Sequence, residues 1–237
     1  MRKILMAMAL AGALTLSAAD DFTLGADVSG LSTFQALGVD VYDKDDNPAD
    51  LYALMKDYGL EGVRLRVWVD PRGGLCSPAD VLKMAQHAHE LGMPLMIDFH
   101  YSDFWADPGK QNIPERWKNM SYEQMKGAVA EHTASTLQLL RNAGIPVRWV
   151  QVGNETSNGM LWPVGNAHEN MAQYAGLMRA GYDAVKAVMP EAIVIVHLDN
   201  GWDENLYKWN LDGLREGGAK WDMIGMSLYP YWSMQDG

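Results

Sequence analysis

Cysteine is almost absent from this chain of 237 residues, and two shortages exclude whole classes of protein. The one cysteine, Cys76, rules out an internal disulfide framework, and a lone thiol in a short loop is more often incidental than catalytic. Basic residues are also scarce, since 19 lysines and arginines face 30 acids and leave a net charge of −11. A protein of this charge repels nucleic acid and polyanionic substrates, so neither is expected as a partner.

Long apolar runs are lacking after the first twenty residues, which excludes a later membrane-spanning helix. Two basic residues precede the apolar run 4–16, and small residues follow it. This pattern predicts a secretory signal peptide over residues 1–19 and one domain over residues 20–237. We therefore expect an exported protein, periplasmic or secreted, without a membrane partner once the signal is removed.

Short apolar runs alternate with longer amphipathic runs along the rest of the chain. The short runs predict six strands, at residues 24–29, 62–69, 93–100, 147–152, 192–198 and 223–228. The amphipathic runs predict helices at 49–58, 77–91, 122–142, 169–188 and 204–214. Because the strands are almost continuously apolar, we expect a parallel sheet whose faces are both covered.

Repeats of strand and helix build either a doubly wound sheet or a (β/α)₈ barrel of the TIM type. No Gly-x-Gly-x-x-Gly and no Walker loop follows the first strand, so neither nucleotide-binding version is supported. Polar residues at the end of nearly every strand favour the barrel, which binds its ligands there. A barrel needs eight units, and we expect this chain to hold about the first six and to be C-terminally incomplete.

The residues at the predicted strand ends are typical of carbohydrate chemistry. They are Asp27, Ser29, Arg66, Trp68, Asp98, His100, Asp103, Asn154, Glu155, His197, Asp199, Asn200, Ser227, Tyr229 and Trp232. Glycoside hydrolysis needs a carboxylic acid to protonate the departing oxygen, hydrogen-bonding groups for hydroxyls and aromatic rings for the apolar faces of sugars. Every class of group that this chemistry needs is present except one.

Six segments in the same order resemble glycoside hydrolase family 53, the endo-β-1,4-galactanases of clan A. They are Gly-Ala-Asp-Val-Ser from residue 25, Val-Arg-Leu-Arg-Val-Trp-Val-Asp-Pro from 63, Asp-Phe-His-Tyr-Ser-Asp-Phe-Trp-Ala-Asp-Pro from 98, Gln-Val-Gly-Asn-Glu from 151, His-Leu-Asp-Asn from 197 and Gly-Met-Ser-Leu-Tyr-Pro-Tyr-Trp from 225. The resemblance covers essentially the whole of residues 20–237.

This resemblance implies retaining endo-hydrolysis of β-1,4-galactan or arabinogalactan, with Glu155 as general acid/base and Asn154 on the 2-hydroxyl of the substrate. It implies that Arg66 orients the nucleophile. It further implies a substrate-binding set of Asp98, His100, Trp105, Tyr229 and Trp232, with the two tryptophans as sugar platforms. The nucleophile of the family is a glutamate after a seventh strand, and no residue of this chain is assigned that role.

Other interpretations of these residues remain open. Arg66 also fits the role of a structural ion-pair partner, and His100 also fits that of a core histidine. The whole chain also fits a galactan-binding protein without catalysis or a non-functional fragment. The fragment would expose the edges of its first and last strands. If the chain is not such a fragment, we expect it to be a monomer.

We expect neither a cofactor nor a metal. His87 and His89 point to different faces of a helix, and the acids at 43–50 fit a solvated loop, with a calcium role left open. In a complete site a nearby anionic glutamate should raise the pKa of Glu155, and without that neighbour Glu155 should titrate closer to the ordinary value of about 4.3.

Overall fold

Six parallel strands form one sheet in the order in which the chain visits them. The computed structural model describes residues 22–233, with Trp232 and Ser233 described by their backbone alone; the predicted signal peptide lies outside these residues. The strands are β1 Gly25–Asp27, β2 Gly62–Val67, β3 Leu95–Phe99, β4 Trp149–Val152, β7 Ile193–Leu198 and β8 Met223–Met226. They have the arrangement of the first six strands of a (β/α)₈ barrel, so the predicted fold class is confirmed.

A small antiparallel hairpin, β5 Gly159–Met160 and β6 Gly165–Asn166, stands apart from this sheet. The helices are α1 Leu31–Ala36, α2 Leu51–Asp57, α3 Pro78–Glu90, α4 Tyr122–Asn142, α5 Ala167–Val188, α6 Glu204–Glu216 and α7 Pro230–Ser233. The hairpin, α1 and α7 were not predicted. No helix within residues 22–233 is long and apolar enough to cross a membrane.

Local sequence explains where the long helices begin. The Ser77 hydroxyl accepts a hydrogen bond from the Asp80 N–H, and Pro78 occupies the first turn of α3. Ser121 and Gln124 form a reciprocal capping box at the start of α4, as predicted. These caps satisfy N–H groups that have no partner inside the helix, so they set where each helix enters the layer that covers the sheet.

Neighbouring strands pair in a register that separates an apolar layer from a polar one. Leu65, Ile97, Val150 and Val194 are mutual partners in adjacent strands and are all buried. Burying each such side chain stabilises the fold by roughly 1.5–3 kcal/mol. The next row, one residue further along each strand, points to the opposite face because side chains alternate along a strand.

That next row carries Arg66, Asp98 and Gln151, which are register partners in β2, β3 and β4. Arg64 lies two residues before Arg66 and therefore shares its face. The outer strand β8 leaves Met223, Ile224 and Met226 exposed, as the open six-strand sheet predicts. The fold thus gathers polar groups on one face near the carboxyl ends of the strands.

Candidate active site

A tight turn at the end of β4 presents Asn154 and Glu155. Gly153 has φ of 83°, and a Cβ there would lie 2.5 Å from the Thr156 methyl, so both backbone and space require glycine. Glu155 also lies in the left-handed region, with φ of 47°. Such strain persists only where the surroundings hold it. Here the Thr156 N–H donates to the His197 carbonyl oxygen at 2.9 Å, which ties the turn to β7.

Glu155 ends a chain of hydrogen bonds from β7 and β8. Its N–H donates to His197 Nδ1 at 3.2 Å, so the ring proton of His197 lies on Nε2. That Nε2–H donates to the Ser227 hydroxyl oxygen at 3.0 Å, and the hydroxyl donates to Glu155 Oε1 at 2.6 Å. Three strands therefore fix the position of this carboxyl group.

Glu155 and His197, the titratable groups of this hydrogen-bond network, both have shifted pKa values. Burial raises the pKa of Glu155, the hydrogen bond from Ser227 opposes the rise, and the nearby Asp199 carboxylate adds to it. Burial and Asp199 therefore raise the pKa of Glu155 without a second glutamate, and the expectation that this pKa is closer to the ordinary value than in a complete site stays a prediction. Burial lowers the pKa of His197 to about 4, in keeping with the neutral tautomer.

Arg64 forms the centre of the charged part of the site. Its guanidinium lies 2.5 Å from Asp27 Oδ2 and 2.7 Å from Asp98 Oδ2, and its Nη2 donates to Asn154 Oδ1 at 2.9 Å. This arginine was not among the predicted site residues. It connects the ends of β1, β2, β3 and β4.

Asp98 is fully buried beneath Arg64. Its Oδ2 also accepts from His100 Nε2 at 2.9 Å, and its Oδ1 accepts from Gln151 Nε2 at 2.5 Å. Burial alone would raise the pKa of Asp98, but Arg64 and His100 outweigh burial and hold the pKa below its ordinary value. Both oxygens bond protein donors, so this geometry favours positioning of Arg64 over direct contact with a substrate. Its predicted substrate contact remains a prediction.

Asn154 is buried, and most of its hydrogen-bonding capacity is used. Its Oδ1 accepts from Arg64, and its Nδ2 donates to the Ala106 carbonyl oxygen at 2.8 Å. The Gln111 side chain donates to the Asn154 carbonyl oxygen at 2.9 Å, so the loop after β3 also holds the turn. An amide carries two N–H donors, and the second Nδ2 hydrogen is left for a ligand.

The structure separates Arg66 from this cluster. Its Cζ lies 3.7 Å from the ring centroid of Trp105 and 4.8 Å from that of Trp68. No carboxylate within residues 22–231 pairs with it, and the structural ion pair considered for Arg66 stays a prediction. Its predicted role in orienting a nucleophile remains a prediction, while Arg64 is the arginine that contacts Asn154.

The predicted histidine and aromatic site residues differ in how deeply they are buried. His100 is buried, and both ring nitrogens are engaged, because Nδ1 accepts from the Ala106 N–H at 3.0 Å. Trp105 stands beside it and is 44% exposed, which leaves ring surface for a sugar. Tyr229 is 56% exposed beyond β8, and the side chain of Trp232 lies outside the described part of the structure.

Arg64 and Gln151 were missed because they lie inside strands rather than at their ends. The signal that was available is the two-residue alternation, which puts Arg64 on the face of Arg66 and Gln151 on the face of Gly153. Ser227 is one of the predicted strand-end residues, and the sequence alone gives it no role. Across residues 22–233, no group of three or more His, Cys, Asp or Glu side chains is placed to hold a metal ion.

The parallel sheet collects a half-buried glutamate, a buried amide, histidines and an exposed indole at the carboxyl ends of its strands, where a (β/α) barrel carries its site. The chain belongs to glycosyl hydrolase family 53, whose family model matches residues 23–236. The resemblance drawn from the six segments is therefore confirmed.

Named relatives and a solved structure agree with this family. A probable arabinogalactan endo-beta-1,4-galactanase A of Neosartorya fischeri is 33% identical over 88% of this chain and 60% of its own length. The endo-beta-1,4-galactanase of Bacillus subtilis is 31% identical over 90% of this chain and 50% of its own. The GH53 catalytic domain of Ignisphaera aggregans is 38% identical with a TM-score of 0.85, and the match covers 90% of this chain and 61% of that one. The chain thus spans about 50–60% of the length of these relatives.

Proposed function

We propose that this chain carries the acid/base part of a site that hydrolyses β-1,4-galactosidic linkages in galactan or arabinogalactan. The observation that carries the proposal is Glu155, a half-buried carboxyl with a raised pKa at the end of β4. The names of the relatives support the choice of galactan. Glu155 is the general acid that protonates the departing oxygen and then the base that activates water.

The hydrogen bonds of Glu155 support a division of labour between its two oxygens. Ser227 donates to Oε1, and no donor to Oε2 is found among the residues that the structure describes. The acidic proton of Glu155 therefore sits on Oε2, facing the glycosidic oxygen. Since neutral His197 donates to Ser227, the hydroxyl keeps its own hydrogen directed at Glu155. The hydrogen bonds from His197 and Ser227 therefore hold Glu155 in place without competing for its proton.

Asn154 and Arg64 supply the second contribution to the proposal. The spare Nδ2 hydrogen of Asn154 donates to the 2-hydroxyl of the sugar, a contact that strengthens in the transition state. Arg64 fixes the amide orientation by donating to Oδ1. A retaining reaction also requires a second carboxyl about 5–5.5 Å from the first, and we propose the family glutamate for that role.

The test is cleavage of linear β-1,4-galactan by this chain and by a longer chain that contains it. We expect Glu155→Gln to lower kcat by roughly 10²–10⁴-fold, the usual contribution of a general acid/base. The matched control is Glu169→Gln, because Glu169 is exposed on α5. Proton NMR of the first product should show the β-anomer. Absence of galactan cleavage in both chains would refute the proposal, and binding without cleavage would favour a galactan-binding protein.

A further inference from the structure

Gln111 belongs to the loop after β3, and its side chain is buried against the turn that carries Glu155. The residue is 2% exposed. Its Nε2 lies within hydrogen-bond distance of three backbone carbonyl oxygens, those of Asn154 at 2.9 Å, Asp107 at 3.2 Å and Glu155 at 3.4 Å. Three acceptors around one terminal atom identify that atom as the amide nitrogen, because the amide oxygen donates nothing. The loop therefore contributes a hydrogen-bond donor to the turn.

Glu155 lies between two peptide groups, and each of them is held at both ends. In the peptide before it, the N–H donates to His197 Nδ1 at 3.2 Å, and the Asn154 carbonyl oxygen accepts from Gln111. In the peptide after it, the Thr156 N–H donates to the His197 carbonyl oxygen at 2.9 Å, and the carbonyl oxygen accepts from Gln111. His197 therefore accepts from both N–H groups, and Gln111 donates to both carbonyl groups.

These two peptide groups determine the direction of the Glu155 side chain, since φ and ψ are the two backbone rotations of a residue. Glu155 has φ of 47°. A residue other than glycine keeps this left-handed conformation only where its surroundings fix it. His197 supplies the acceptors on one side of the turn, and the Gln111 amide supplies the donor on the other side.

The main chain of Gln111 is also held in place. Its carbonyl oxygen accepts from the Trp162 N–H at 2.7 Å, and Asn112 pairs with Trp162 in an isolated bridge. At the far end of the turn, Asn158 Nδ2 donates to the Pro108 carbonyl oxygen at 3.0 Å. The loop after β3 and the segment after β4 are therefore joined at several points. They also connect strands that have a neighbour on both sides, since β3, β4 and β7 all lie inside the sheet.

The Gln111 donor is an amide and carries no charge. A lysine at this position would also donate to carbonyl oxygens, but a further cation beside Glu155 would favour the ionised carboxylate. A general acid must keep its proton until the glycosidic oxygen departs. A neutral donor therefore suits a group that positions Glu155 without favouring loss of its proton.

We propose that Gln111 is a positioning residue of the acid/base turn, whose amide fixes the two peptide groups that flank Glu155 and thereby sets the direction of the Glu155 carboxyl group. The reaction that this positioning serves is the hydrolysis proposed above, so the inference rests on the proposed function. Gln111 itself does not touch the departing oxygen.

The first test is amide hydrogen exchange, followed by NMR, on the 237-residue chain. Gln111→Met keeps the approximate size of the side chain and removes the donor. We expect the Glu155 and Thr156 amide hydrogens to exchange roughly tenfold faster than in the wild type, as loss of one hydrogen bond predicts. Thr133→Val is the matched control, because it removes the buried hydrogen bond between the Thr133 and Tyr101 hydroxyls, at 2.7 Å, away from the turn. In this control the two exchange rates should stay within roughly twofold of the wild type.

The second test uses a longer chain that contains this one and cleaves galactan. A departing sugar needs a proton from Glu155, whereas 2,4-dinitrophenolate leaves without one. Gln111→Met should therefore lower kcat/KM for β-1,4-galactan roughly tenfold or more, and leave kcat/KM for 2,4-dinitrophenyl β-1,4-galactobioside within about twofold of the wild type. A general structural defect would lower both values by the same factor.

Each outcome decides the role of Gln111. Unchanged amide exchange in Gln111→Met, an equal change in Thr133→Val, or equal losses on the two substrates would overturn it. If Gln111→Met fails to fold, Gln111→Asn takes its place, because it keeps an amide that is one methylene too short to reach the turn. If the longer wild-type chain does not cleave galactan, the proposed hydrolysis fails, while faster exchange confined to the Gln111 variant still supports its hold on the turn.

Discussion

Arg64 and Arg66 lie two residues apart on the same face of β2, and their surroundings differ completely. Arg64 lies between the carboxylates of Asp27 and Asp98. Arg66 lies against the indoles of Trp68 and Trp105, with no carboxylate within the described residues. One strand therefore accommodates two cations by two mechanisms, charge neutralisation and contact with aromatic faces.

The difference determines what each arginine supports. Asp98 is fully buried and needs a nearby cation to remain charged, since an isolated carboxylate is very unfavourable in the interior. Arg64 is the arginine that supplies it. Among the residues that the structure describes, no buried carboxylate is paired with Arg66 in this way. We therefore assign Arg64 to the stability of the site.

The largest expected effect comes from removing the neutralising cation. Arg64→Met should lower the free energy of unfolding by about 3–5 kcal/mol, because it leaves Asp98 as an unpaired buried charge. Arg66→Met should change it by about 1 kcal/mol or less, the size of a cation–π contact. Urea unfolding followed by circular dichroism measures both values.

A double variant tests the assigned cause. If the loss in Arg64→Met arises from the Asp98 charge, Arg64→Met with Asp98→Asn should be more stable than Arg64→Met alone, since the buried group is then neutral. Equal losses in the two single arginine variants would end the distinction between them. No recovery in the double variant would assign the loss to packing.

The sheet could be predicted from the sequence because burial sets its pattern. Leu65, Ile97 and Val150 belong to nearly continuous apolar runs, which parallel strands under helices require. The bounds of α4 were predicted at both ends, since the capping box at Ser121 and Gly144 mark them. The hairpin of β5 and β6 was missed because two-residue strands carry no periodicity.

The sequence predicted the site residues whose position depends on a single strand, but not the contacts between strands. Asn154 and Glu155 follow β4 in the sequence, and the turn places both at its end. The contacts of the arginines depend on how strands are staggered. Arg66 is the register partner of Asp98, yet Arg64 is the residue that reaches it. Alternation indicates a shared face but not which of two long side chains bends toward an acid.

A change of pH should have a smaller effect on the free energy of unfolding, and this effect concerns the site to which Arg64 belongs. His197 bonds to the Glu155 turn, and burial lowers its pKa to about 4 from an ordinary 6.5. Between these values the unfolded chain binds a proton that the folded chain does not, so stability falls as pH drops from 6.5 toward 4. One histidine shifted this far contributes a loss of about 3 kcal/mol at most.

The measurement is urea unfolding at several pH values between 7.5 and 4.5. His197→Gln should flatten the dependence, whereas Arg66→Met should keep the full slope, since Arg66 has no part in the histidine network. His132 is also buried, with a pKa lowered to about 4. His132→Gln should therefore remove a similar part of the pH dependence of the free energy of unfolding, at a position away from the site. A His197→Gln slope equal to that of the wild type would contradict this account.

The smallest expected effect concerns the one polar neighbour of Arg66. If the Cys76 thiol were ionised, it would be the counter-ion of Arg66, and the two arginines would be alike. Burial raises the pKa of Cys76 although Arg66 opposes the rise, so a neutral thiol is expected. Cys76→Ser keeps a small neutral group beside the guanidinium and should change the free energy of unfolding by about 1 kcal/mol or less. Asp98→Asn, which removes the charge next to Arg64, is the comparison. A loss of several kcal/mol in Cys76→Ser alone would point to an anionic sulfur beside Arg66 and would remove the difference between the two arginines.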